Sequence, residues 1–190
     1  MIAKRIELLS KIYDRDSESE VFIVKISIKQ YKDIFNDLDP APLRNRDINQ
    51  ALLNYLNECS IDIPLKYNIS LQIIGPHEIQ NEELETRVRV GLKTYFTFGI
   101  LTFKREMAAL YKKSLKYFFI FFALISFLFY LSSKLPSNIS TETIIEGLSI
   151  GGWVFLWEAI NIVVFKNREI KMMYKRYKRL ESSQLDFVYE

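Results

Sequence analysis

The chain has 190 residues, 49% of them hydrophobic and 14% aromatic, with 26 Lys and Arg against 23 Asp and Glu. That length suits one soluble domain with a small membrane part, and the balanced charge over residues 1–113 excludes an acidic or basic tail there. A mean hydropathy of +0.00 therefore averages two unlike regions, with the apolar mass lying after residue 113.

In chain order, the opening "MIAKRIELLSKIYDRD" has no apolar core of the kind a cleaved signal peptide needs. "IELLSKIYD" alternates apolar and polar residues, with Ile6, Leu8 and Ile12 on one face, and "VFIVKISIK" does the same with Phe22, Val24, Ile26 and Ile28. Separated by the polar "RDSESE", they predict a β-hairpin or two neighbouring strands. "DLDPAPLRNRD" breaks structure. "DINQALLNYLNEC" sets Ile48, Leu52, Tyr55, Leu56 and Cys59 at helical spacing, with Asn45 or Asp47 available as the cap. A third strand follows in "KYNISLQIIG", where Ile69, Leu71 and Ile73 alternate up to Gly75 and Pro76. From Asn81 the pattern turns helical and meets no proline before Pro136, so this helix is expected to run into the apolar region, with Gly91 and Gly99 as points of bending. The reading for residues 1–113 is an α+β domain, a small mostly antiparallel sheet with helices.

Two apolar runs follow, at about residues 115–133 and 144–165. Each approaches the 17 to 25 residues a helix needs to cross hydrocarbon, so residues 114–166 read as a two-helix transmembrane hairpin. The alternative for each run is a buried core helix. Bases flank both outer ends (Lys112, Lys113 and Lys116 before, Lys166, Arg168 and Lys171 after), while the connecting loop holds only Lys134. The positive-inside rule then puts both termini in the cytoplasm, which suits a single cysteine without a disulfide partner. Residues 167–190 read as a basic cytosolic helix able to lie on anionic headgroups, then a strand carrying Leu185, Phe187 and Tyr189 that joins the domain's sheet or else hangs free.

Signatures of catalysis are poor, and the chain reads as a non-enzyme without a cofactor. His77 has no second His or Cys at metal-ligand spacing. Asp14 with Asp16, and Asp37 with Asp39, sit in stretches where Asp bonds its own backbone. Cys59 reads as a small buried residue. Arg44, Arg46, Arg87 and Arg89 are the candidates for an anionic ligand, against the plainer reading of a solvated face.

The second run raises its own question, because "GLSIGGWVFLWEAINIVVF" carries Glu158 and Asn161 where lipid tails are expected. At about 100° per residue, Gly147, Gly151, Val154, Glu158, Asn161 and Phe165 share one stripe, with Ser149 and Gly152 off it. Gly147 and Gly151 allow close backbone approach. A carboxylate facing lipid costs on the order of 2.5–3.5 kcal/mol, so the stripe is expected to face protein or water. Two spans alone bury it poorly, which points to several copies, whose Glu158 side chains line a central path. Alternatively Glu158 is protonated, or it snorkels to meet Lys166 or Arg168.

"DIPLKYNISLQI", "NEELETRVRVGLKTYF", "GLSIGGWVFLWEAINIVVF" and "YKRYKRL" together resemble, from about Asp37 onward, a family of small two-pass bacterial membrane proteins of mostly unassigned function. Trp153, Trp157 and Glu158 carry most of the likeness. The layout is similar to that of membrane effectors of bacterial anti-phage systems, the Hailong effector in particular. That resemblance implies a homo-oligomeric inner-membrane channel gated by a ligand or partner, with a nucleotide or nucleic-acid-like molecule on the cytosolic domain. The rival expectations are a membrane anchor or scaffold that recruits a cytosolic partner, and an accessory subunit of a transporter.

Overall fold

The computed structural model describes residues 2–16, 21–136 and 138–190. The chain forms two compact units, one of Met1–Leu101 with Tyr174–Glu190 and one of Thr102–Met173.

The first unit opens with a correction. Residues expected as a strand form helix α1 (Ile2–Ile12), in which Leu9 is buried while Leu8 and Ile12 are exposed. Ile2, Ile6, Leu9 and Tyr13 recur at helical spacing, and seven of the eleven residues are Ala, Leu, Lys, Arg or Glu, which favour helix over strand. The strand β1 (Asp14–Arg15) pairs antiparallel with β2 (Phe22–Ser27). Of the polar connection between them, residues 17–20 lie outside the described residues.

Helix α2 (Gln50–Asp62) is capped neither by Asn45 nor by Asp47 but by Asn49, whose side chain accepts from the Ala51 N–H at 2.9 Å. Strand β3 (Ile69–Gly75) follows. Helix α3 runs unbroken from Glu82 to Ser132. Gly91 and Gly99 do not interrupt it, because they serve close packing. A Cβ at Gly91 would lie 2.6 Å from the Leu43 carbonyl oxygen, and one at Gly99 would lie 2.6 Å from the Tyr177 ring. Helix α4 (Ile139–Asn161), a π turn (Ile162–Lys166) and helix α5 (Asn167–Glu181) lead to β4 (Gln184–Tyr189).

The sheet has the order β1-β2-β3-β4 and is mixed, not mostly antiparallel as the sequence suggests. Only β1 and β2 are antiparallel. β2 pairs parallel with β3 from Phe22↔Ile69 to Ser27↔Ile74, and β3 pairs parallel with β4 from Ser70↔Gln184 to Gly75↔Tyr189. The reason is connection length: α2 lies between β2 and β3, and the whole apolar hairpin lies between β3 and β4, so neither pair can close as a tight antiparallel turn. The strand read from Leu185, Phe187 and Tyr189 is β4, so both chain ends of the hairpin return to neighbouring strands. Phe22, Val24, Ile69, Leu71 and Ile73 share one sheet face and are buried, as are Ile34, Phe35, Leu56, Val88 and Phe96 in the same unit.

The second unit holds the apolar helices. Among the described residues, two helical stretches, Glu82–Ser132 and Ile139–Glu181, are long and apolar enough to cross a membrane. In each, 17% of the most apolar window is buried within the chain, whereas the core helix of a soluble protein is mostly buried.

A candidate helix interface on the apolar hairpin

Sequence spacing sets how the hairpin closes. Ser114, Phe121 and Leu128, seven residues apart, are buried on α3, and Gly152, Ala159 and Ile162 are buried on the returning chain. A seven-residue repeat keeps one seam facing a partner helix. The Ser114 hydroxyl donates to the Ala159 carbonyl at 2.9 Å, the Tyr117 and Phe155 rings lie 6.1 Å apart, and Phe121 lies 5.5 Å from Trp153. A Cβ on Gly152 would stand 3.3 Å from Leu124 Cδ2 and 3.4 Å from Ile125 Cδ1. Gly152, which stands off the polar stripe, is thus the glycine that brings the two helices together.

The stripe lies elsewhere. Stepping about 100° per residue, its centre falls about 140° round α4 from Gly152 and about 120° from Ala159. Gly147 and Gly151 have nothing within 4 Å of a built Cβ, and Val154 and Phe165 are 63% and 64% exposed. Val154, Glu158, Asn161 and Phe165, with Trp157 and Ile160, line one concavity of about 390 Å³. All six residues singled out by the helical wheel therefore belong to the face that α3 leaves open.

Glu158 is not alone on that face. Lys166 Nζ donates to Glu158 Oε1 at 2.8 Å, and Asn161 Nδ2 donates to Oε2 at 3.2 Å. Lys166 closes the π turn, in which the Asn167 N–H reaches back to the Ile162 carbonyl. Isoleucine and two valines stand in that turn, and β-branched residues crowd the preceding turn of an α-helix. The wider turn lets a lysine eight residues on fold back to the carboxylate.

The arginines read as anion-binding candidates do not assemble. The Arg44 side chain lies outside the described residues. Arg46 Nε donates to the Ala41 carbonyl at 2.9 Å and lines a cavity of about 270 Å³ with Gly91, Tyr95 and Phe98. Arg87 pairs with Glu83 at 2.6 Å. Arg89 stands 3.9 Å from Glu85, covers the Phe187 ring at 4.9 Å, and lines a different cavity, of about 490 Å³, with Lys93 and the turn before β4. Asp39 bonds the backbone N–H groups of Asp47 and Ala41, which hold its carboxyl below the usual range. Cys59 is buried, and burial pushes its thiol up.

Sequence reasoning missed one residue altogether. Arg179, buried in the last turn of α5, donates to the carbonyls of Ser60, Ile63, Pro64 and Tyr67 and to the Ser60 hydroxyl, at 2.6–3.3 Å. It thereby satisfies the unpaired carbonyls at the C-terminus of α2, where the helix dipole favours a cation. Burial lowers its pKa to about 10, so it remains charged at neutral pH. β4 is locked in the same manner. The Tyr189 hydroxyl bonds Glu85 and lies 2.6 Å from the Tyr31 hydroxyl, which accepts from the Asn81 N–H at 3.2 Å. The sequence carried no signal for it, since at about 100° per residue Arg179 falls about 160° from Tyr177, away from the apolar stripe of α5.

No family model, no curated protein and no solved structure matches this chain.

Proposed function

We propose that the chain is a two-pass membrane protein of the bacterial inner membrane that works as a homo-oligomeric channel. In this reading the sheet-bearing unit is cytosolic and receives the gating ligand or partner. The second spans of neighbouring copies meet along Gly147, Gly151, Val154, Glu158, Asn161 and Phe165. The observation that carries the reading is the placement of that stripe, about 140° round α4 from Gly152, where α3 packs. A polar stripe left to lipid is costly, and although Lys166 and Asn161 of the same chain bond Glu158, the face around it is left open by α3, which suits cover by other copies or water. Two glycines with open space above them suit close backbone approach between copies. The resemblance noted in the sequence adds a role in anti-phage defence and a nucleotide or nucleic-acid-like ligand for the cytosolic unit.

The test is conductance. Purified protein in liposomes should pass cations once its activator binds or its inhibitor is released, and Glu158→Ala should change the flux. Silence under every ligand tried, with the protein demonstrably inserted, counts against a channel.

A second reading, a membrane anchor that recruits a cytosolic partner, draws on the 2.8 Å pair of Glu158 with Lys166, which neutralises the carboxylate inside one chain. It predicts that an unrelated two-span hairpin, swapped in, preserves activity.

A further inference from the structure

We infer that the hairpin's basic end is an anionic-lipid surface, built from both helices and reading the headgroup phosphates of the leaflet it enters. The inference rests on the membrane-spanning part of the reading above and not on conduction.

The hairpin's register carries it. Ser114 bonds Ala159 and the helices run antiparallel from there, so residues equally far from that bond stand at one level. By that rule Lys112 is level with about residue 161, and Arg105 with Arg168. The exposed tyrosines Tyr111 and Tyr130 mark off about 28 Å of helix at 1.5 Å per residue, close to the hydrocarbon thickness, and tyrosines favour the two interfaces. Tyr111 thus sits at one boundary. Lys112 and Lys116 lie just inside it, while Arg105, Arg168 and Lys171 stand about 9–14 Å beyond it at 1.5 Å per residue, all five exposed. None of them enters an ion pair among those described, unlike Lys166, which is held by Glu158. At the opposite end the exposed charges are Lys134, Glu142 and Glu146, a net acidic set that does not attract phosphate, whereas at this end the five bases outnumber the exposed acids Glu106 and Glu169. Bases clustered beside an apolar span attract anionic headgroups, and lysines inside the boundary extend outward to reach them. The continuity of the bases with two apolar helices is what selects a bilayer over a soluble polyanion.

The experiment reconstitutes the full chain in mixed phosphatidylcholine and phosphatidylglycerol vesicles, confirms insertion by flotation after alkaline carbonate extraction, and measures by mass spectrometry the lipids retained on extraction. Phosphatidylglycerol should be enriched over its bulk share, with the enrichment falling at high salt. It should also fall about fivefold for each base removed in the series Lys116→Gln, Arg168→Gln and Lys171→Gln, while Lys66→Gln in the sheet unit leaves it unchanged. Single variants serve where the combined variant does not fold. Inserted protein that retains both lipids in bulk proportion, or variants that keep the preference, overturn the lipid surface alone. Protein that does not float overturns the spanning reading and this inference with it.

Discussion

The two units solve the same problem, a buried or semi-buried charge, in opposite ways. In the sheet unit Arg179 has no carboxylate partner among the described residues, yet its two terminal guanidinium nitrogens are enclosed by four carbonyls and a hydroxyl of its own chain. In the hairpin unit Glu158 has a lysine and an amide but stands on an open face with two uncovered glycines. A charge that is satisfied within its own fold is structural. Glu158 is paired within its own chain too, so it is the uncovered face around it, not an unmet charge, that points outward to a further partner.

The largest expected effect lies in the closed unit. Arg179→Ala removes five hydrogen bonds from a cation and strands the carbonyls that end α2, so it should destabilise the unit by about 3–5 kcal/mol. Urea unfolding followed by circular dichroism in detergent measures this, and a loss below about 1 kcal/mol would mean that water replaces the arginine without cost. Next come the glycines of α4, where the comparison is sharpest. Gly152→Val forces a side chain against Leu124 and Ile125 and should cost the hairpin about 1–3 kcal/mol by overpacking. Gly151→Val meets nothing within its own chain, and should leave the melting temperature alone while reducing cross-linking between copies. Equal effects at the two positions would erase the distinction between the covered and the open face. The smallest effect is at Tyr189, whose hydroxyl bonds Glu85 and Tyr31. Tyr189→Phe should cost about 1 kcal/mol. Burial pushes this tyrosine's pKa up, so the folded chain keeps its proton after the unfolded chain has lost it. Its share of stability is therefore full below the ordinary tyrosine value of about 10 and declines as pH rises beyond it. An alkaline unfolding limb that is unchanged in Tyr189→Phe would remove that assignment.

Legibility in the sequence followed the same division. Periodicity alone marked β2, β3 and α2, because each buries one face against a single core, and it marked α3 because no proline breaks its helical pattern. It failed at α1, where Ile6, Leu8 and Ile12 fit a period of two while Leu9 carries the buried contact and the residue types favour helix. Parallel pairing was not legible, since it depends on which strands become neighbours across long connections. The wheel identified the open stripe of α4 but not the closing one. Gly147 and Gly151 stood out as a motif, while Gly152, matched to Phe121 through two seven-residue repeats, has meaning only once both helices are aligned. Arg179 was hidden for a related reason: its partners are backbone carbonyls more than a hundred residues away, and no pattern of side chains announces them.

The central claim is that the open face of α4 is covered by further copies of the chain, and the mass of the particle excised in native lipid by a bilayer-solubilising polymer tests it most directly. The account predicts several times the 22.5 kDa of one chain, falling toward a single chain in Gly151→Val. A lone chain in native lipid, for the unaltered protein under both resting and activating conditions, would contradict it.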